Sequence, residues 1–131
     1  MIFLNLDVIM SPNHPKEYNA FTNKKFKVFV ETGKKIELTV KEFELEEKLS
    51  WASCYDFIYI DDRDGGKIMS IKCGKMLIKG SQILSTSNCI QMQFTSDSYN
   101  EKKGFTIEWR QVEADGKQTL NHEYISIIIF V

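Results

Sequence analysis

The sequence predicts an all-β protein, an antiparallel β-sandwich. Three observations carry that expectation. Short runs of alternating apolar and polar residues recur along the chain, turn signals separate them at regular intervals, and no stretch shows a credible long helical period. At 131 residues, 43% apolar and 27% charged, the chain is one domain of ordinary size with enough apolar content for a real core. Its net charge of −1 supplies no field for nucleic acid or a membrane surface. No apolar run approaches the roughly 20 residues of a spanning helix.

The elements follow in order. Residues 3 to 10 are apolar apart from Asn5 and Asp7 and suit an edge strand. Ser11-Pro12-Asn13-His14-Pro15-Lys16-Glu17-Tyr18 is a loop, because two prolines three apart exclude both a helix and a central strand. Phe26, Val28 and Val30 then share one face, with Lys25, Lys27 and Phe29 on the other. Thr32-Gly33-Lys34-Lys35 reads as a turn, and Ile36, Leu38 and Val40 alternate after it. Two such runs around a short glycine turn predict a hairpin. Phe43 and Leu45 continue the apolar series out of phase, as a bulge or strand end requires. The acidic stretch Glu42 to Lys48 is expected to be a loop.

A strand over Tyr55 to Asp61 follows, then the turn Asp62-Arg63-Asp64-Gly65-Gly66. Ile68, Met69 and Ile71 lead to Cys73-Gly74, and Ile83-Leu84 precede a second turn at Ser85 to Asn88. Ile90, Met92 and Phe94 alternate cleanly with Cys89, Gln91, Gln93 and Thr95. Ser96 to Gly104 is a polar loop before a strand through Phe105, Ile107 and Trp109. After Val112 the chain turns polar, then ends Tyr-Ile-Ser-Ile-Ile-Ile-Phe-Val over 124–131. That uncharged, β-prone run has to pair with a sheet edge or be covered by another molecule. The reading divides the chain into a module over 1–112 and a tail over 113–131.

Enzyme chemistry finds little support. There is no glycine-framed serine, and His14 and His122 sit in a proline loop and in the polar tail. Cys54, Cys73 and Cys89 are too scattered for structural zinc. No phosphate-binding glycine loop occurs, and nothing selects a carboxylate pair for glycoside hydrolysis. The lysine pairs Lys24-Lys25, Lys34-Lys35 and Lys102-Lys103 would make a heparin-type patch only if the fold assembled them. Three cysteines suggest one disulfide and one spare thiol if the protein is extracellular, and the partner nearest to Cys54 is Cys73. Met1 to Leu4 is too short and uncharged for a signal peptide, so a secretion signal would lie outside this sequence.

Six elements in order resemble the CUB domain, an extracellular β-sandwich module with a jelly-roll-like fold. They are Ser11-Pro12-Asn13-His14-Pro15; Phe43-Glu44-Leu45-Glu46 followed by Cys54-Tyr55-Asp56-Phe57-Ile58-Tyr59-Ile60; Cys73-Gly74; Ser87-Asn88; Phe94-Thr95-Ser96-Asp97; and Gly104-Phe105. The resemblance covers about residues 7 to 112 and is greatest to the calcium-binding subset, notably the first CUB domain of complement-initiating proteases. It implies a disulfide between Cys54 and Cys73, worth about 3 kcal/mol in the chain-entropy view. The family's other usual disulfide is absent here, and Cys89 matches no family cysteine. The strand phase of Cys89 predicts an outward or near-edge thiol, either free or bridged to another chain.

The resemblance also implies a Ca²⁺ site of Glu46, Asp56 and Asp97, completed by a carbonyl near Tyr99 and the side chain of Asn100, with Tyr18 bracing it. Calcium takes about six to eight oxygen ligands, which such a set supplies with water. A partner-binding pocket of Tyr18, Glu46, Asp56 and Asp97 receiving a lysine or arginine is implied with it. The expected function is therefore a non-enzymatic, secreted, calcium-dependent interaction module within a larger protein such as a protease. The alternative is a spermadhesin-like glycan or heparin binder that uses surface lysines. Self-association through Cys89 or the 124–131 strand is a further expectation.

Overall fold

In each core strand one side chain in two is apolar, so each strand has one face that must leave water. The computed structural model, which describes residues 8–117 and 127–130, satisfies these faces with two antiparallel sheets packed face to face. Nine strands are described: β1 (Val8–Met10), β2 (Asn23–Phe29), β3 (Lys35–Glu44), β4 (Phe57–Asp62), β5 (Lys67–Lys72), β6 (Gln82–Leu84), β7 (Cys89–Thr95), β8 (Gly104–Val112) and β9 (Ile127–Phe130). One sheet has the order β1-β8-β3-β6 and the other β5-β4-β7-β2-β9. No helix among the described residues is long and apolar enough to cross a membrane. Residues 3–7 of the expected first strand, His122 and residues 118–126 and 131 lie outside the described residues.

The core lies between the sheets. Phe26, Val28, Ile58, Ile60, Ile90, Met92 and Phe94 face Ile36, Leu38, Val40, Phe105, Ile107 and Trp109 across it, all essentially fully buried. Tyr18, Phe94, Phe105 and Phe26 form a chain of edge-to-face ring contacts with centroids 5.0, 5.2 and 6.3 Å apart.

Four expectations change. β2 and β3 are not a hairpin. β2 pairs with β7 and β9, whereas β3 pairs with β8 and β6, so the Gly33 turn carries the chain from one sheet to the other. The alternation identified a buried face on each run, and those faces meet across the core rather than side by side. The supposed loop from Glu42 is still strand as far as Glu44, after the expected bulge between Val40 and Glu42. β4 starts at Phe57, two residues later than expected, because Asp56 is drawn into a polar cluster.

Cys89 is buried and central, not near an edge. Its phase does point it away from Ile90, Met92 and Phe94. The Arg63 guanidinium, held by a 2.8 Å bond to Asn88 Oδ1, lies against it on that outer face. Burial raises the thiol pKa, against an opposing pull from Arg63. The β-prone end of the tail finds its sheet edge in the same chain: β9 pairs antiparallel with β2, Ile128 opposite Val28 and Phe130 opposite Phe26.

Candidate metal centre

Register brings the site together at one end of the sandwich. Asp56 immediately precedes β4, and Asp97 follows β7 by two residues. β4 and β7 are neighbours with Phe57 opposite Thr95, so the two carboxylates meet. Glu46 arrives from the other sheet, two residues beyond β3. Its backbone is fixed by the Cys73-Gly74 corner: Leu45 N–H donates to Gly74 O at 3.0 Å, and Gly74 N–H to Glu46 O at 3.2 Å. The disulfide between Cys54 and Cys73, with Cα atoms 5.8 Å apart, ties that corner to the segment leading into Asp56. Gly74 has φ +53, and a Cβ there would strike the Glu47 carboxylate.

Glu46, Asp56 and Asp97 each present a carboxylate oxygen within 4.8 Å of the others. Asp56 is fully buried and Glu46 is 6% exposed. The Tyr18 hydroxyl donates to Asp56 Oδ2 at 2.6 Å, and Asp97 N–H to Asp56 Oδ1 at 2.8 Å. The Asn100 amide nitrogen donates to Glu46 Oε2 at 2.9 Å. Glu46 Oε1 is buried without a hydrogen-bond partner. Burial pushes the Asp56 carboxyl up to about 6. The Tyr18 and Asp97 donors pull it down, and the Asp97 carboxylate nearby pushes it up again. Burial, then the Asp56 charge beside it, also raises the Tyr18 phenol.

All five residues expected to form the site are thus linked. Tyr99 N–H lies 3.4 Å from Asp97 Oδ1, and its side chain is exposed. Asn100 turns its amide nitrogen to Glu46 Oε2. Ser96 was missed by sequence reasoning. Its hydroxyl donates to Asn19 O at 2.7 Å and accepts from Thr22 N–H at 2.8 Å, pinning the Tyr18 loop to the Asp97 loop. A serine in a polar loop carries no signal of such a clasp. The set of oxygens, with a buried carboxylate oxygen lacking any donor, fits a hard divalent cation.

The lysine pairs do not make one patch. Lys24-Lys25 and Lys102-Lys103 lie toward this end, where Asn23 sits opposite Thr95 and Gly104 opposite Glu44. Lys34-Lys35 lie at the other end, opposite Val112, and Lys34 is paired with Glu113 at 2.6 Å.

Comparison with known proteins identifies the family. The model of the CUB domain family matches residues 4–109. Cubilin of Canis lupus familiaris is 35% identical over 107 residues, which is 80% of this chain and 3% of cubilin. Tolloid-like protein 1 of Mus musculus is 35% identical over 107 residues, 80% of this chain and 10% of that protein. The chain therefore spans a small fraction of these relatives. Among solved structures, the MASP-1 CUB2 domain bound to Ca²⁺ superposes with a TM-score of 0.70 at 27% identity, covering 79% of this chain and 90% of that one. The chain belongs to the CUB domain family, non-catalytic protein–protein interaction modules found mostly in extracellular proteins.

Proposed function

We propose that this chain is a secreted, calcium-dependent interaction module whose acidic pocket takes a lysine or arginine from a protein partner. The carrying observation is Glu46. Its Oε1 is buried and unpartnered beside two further carboxylates, an arrangement that a cation relieves. Glu46, Asp56 and Asp97 would hold Ca²⁺, joined by the Asn100 amide oxygen and the Tyr99 carbonyl. The ion supplies two positive charges that hold the three loops together. Tyr18 and the Asp97 N–H fix Asp56, so a partner's basic side chain meets a preformed acidic pocket. The Ca²⁺ in the MASP-1 CUB2 neighbour supports the metal. The disulfide supports an oxidising compartment.

The small share of each relative that is matched supports a larger parent protein, for which a multidomain protease is one form. Residues 1–112 make up the interaction module on this reading, with 113–131 a tail whose end returns to β2.

Thermal unfolding of the 131-residue chain with calcium and with chelator tests the metal. Calcium at a hundredfold over its Kd adds about 2.7 kcal/mol of stability. The midpoint should rise with calcium in the wild type and stay put in Asp97→Ala. Equal wild-type midpoints in both buffers would overturn the reading.

A further inference from the structure

We infer that the basic residue entering this pocket is flanked by large apolar side chains, and that Phe21 and Tyr99 are the lips that read those flanks. The inference rests on the reading above that the pocket takes a cation, and it adds the chemistry of the surrounding partner segment.

The backbone amides of both residues reach the same candidate ligand residue. Phe21 N–H donates to the Asp97 carbonyl at 2.9 Å, and Tyr99 N–H approaches the Asp97 carboxylate at 3.4 Å. Both side chains stand in water, Phe21 76% exposed and Tyr99 63%. The aromatic rings of Tyr18, Phe26, Phe94 and Phe105 on the same fold are buried in contact with one another.

Phe21 is unfavourable for the isolated domain in two ways. Its ring buries little area, and its backbone sits at φ 55, a left-handed conformation that bulky residues rarely adopt. Strain and exposure coincide at a residue whose N–H is bonded to a candidate ligand, and the exposed ring contributes little burial to the domain alone. Trp51, on the separate segment joining Glu46 to Asp56, is 81% exposed.

Charge selects the occupant. With Ca²⁺ held, three carboxylates still outnumber the ion's two positive charges, so the pocket stays net negative and an incoming group should be cationic. Aromatic faces attract a cation, and they release water against aliphatic neighbours. A basic residue between leucines or similar side chains uses both properties, whereas one between glycines uses only the first. An anionic lipid headgroup would meet the same three carboxylates as a like charge.

Capped pentapeptides immobilised on a biosensor test the inference: Gly-Leu-Lys-Leu-Gly, Gly-Gly-Lys-Gly-Gly and Gly-Leu-Gln-Leu-Gly, each probed with the full chain in calcium. The leucine-flanked lysine should bind about tenfold more tightly than the glycine-flanked one, and the glutamine peptide should not bind. The variant Phe21→Asn, with asparagine chosen because it tolerates the left-handed backbone, should reduce that preference severalfold and keep the calcium-induced rise in midpoint. Equal affinity for the two lysine peptides, no binding to any, or a preference undiminished in Phe21→Asn would each overturn the inference and leave the calcium reading intact. So would calcium-dependent capture by phosphatidylserine–phosphatidylcholine vesicles without a peptide preference. A wild type with no calcium-induced rise overturns the underlying reading and this inference with it.

Discussion

The Tyr18 hydroxyl donates a 2.6 Å hydrogen bond to Asp56 Oδ2, joining residues 38 apart in sequence, and both groups are out of water. The same ring stands edge-on to Phe94, 5.0 Å between centroids. One side chain therefore ties the acidic cluster to the core. Tyr18→Phe keeps the ring contact and removes only the donor. It should lower calcium-free stability by about 1–3 kcal/mol, because a buried carboxylate loses a charge-assisted bond. Urea unfolding with chelator measures the loss, and an unchanged midpoint would show that the bond does not stabilise the apo fold.

Asp56 makes the stability of the metal-free protein depend on pH. Its folded pKa lies at about 6, above the ordinary carboxylate value of 3.8, so between those values the native state binds more protons than the unfolded state. The contribution is fully present below the unfolded pKa and is lost as pH rises through the folded one. In chelator the wild type should gain more stability than Asp56→Asn on going from about pH 7.5 to about pH 5. Calcium needs the ionised carboxylate, so its affinity should fall over that same interval. Paired urea titrations and calcium titrations at the two pH values check both signs.

Glu46→Gln should act in opposite directions with and without metal. Without calcium it removes a buried charge whose Oε1 has no donor and which sits among two other carboxylates. The calcium-free midpoint should therefore hold or rise, while the gain on adding calcium shrinks. A fall of the same size in both buffers would point to a packing role instead.

Gly104 opens β8 at φ +89, where a Cβ would collide with Ser11 Oγ, the acceptor of the 3.0 Å bond from Phe105 N–H. Gly104→Ala combines left-handed strain with loss of that buried bond. The expected destabilisation is about 2–3 kcal/mol, read as a shift in denaturation midpoint.

Cys89 should resist a thiol reagent in the native protein and react in full on unfolding. It is 3% exposed and Arg63 lies against it. Stoichiometric labelling under native conditions would contradict this burial, and a disulfide-linked dimer on a non-reducing gel would do the same.

Periodicity alone determined which way the core strands face. Phe26 and Val28, Ile36 and Leu38, and Ile90, Met92 and Phe94 all lie on buried faces, and the phase break before Phe43 is a bulge. A local pattern reports a face because side chains alternate every residue, but it contains nothing about the partner. Pairing was therefore decided by the tertiary structure: β2 and β3 lie in different sheets, and β9 closes on β2. Cys89 shows the same division, since its outward phase was legible and the Arg63 cover from a distant turn was not.

The acidic cluster of the candidate site was expected from resemblance, through the elements around Glu46, Cys54-Tyr55-Asp56 and Ser96-Asp97. Their spacing could not bring carboxylates 10 and 41 residues apart into contact. Phe57 opposite Thr95 did that, together with Gly74 holding Glu46 and Ser96 clasping the Tyr18 loop. The three carboxylates converge because two sheets end at the same level, a long-range consequence of core packing that no local window contains.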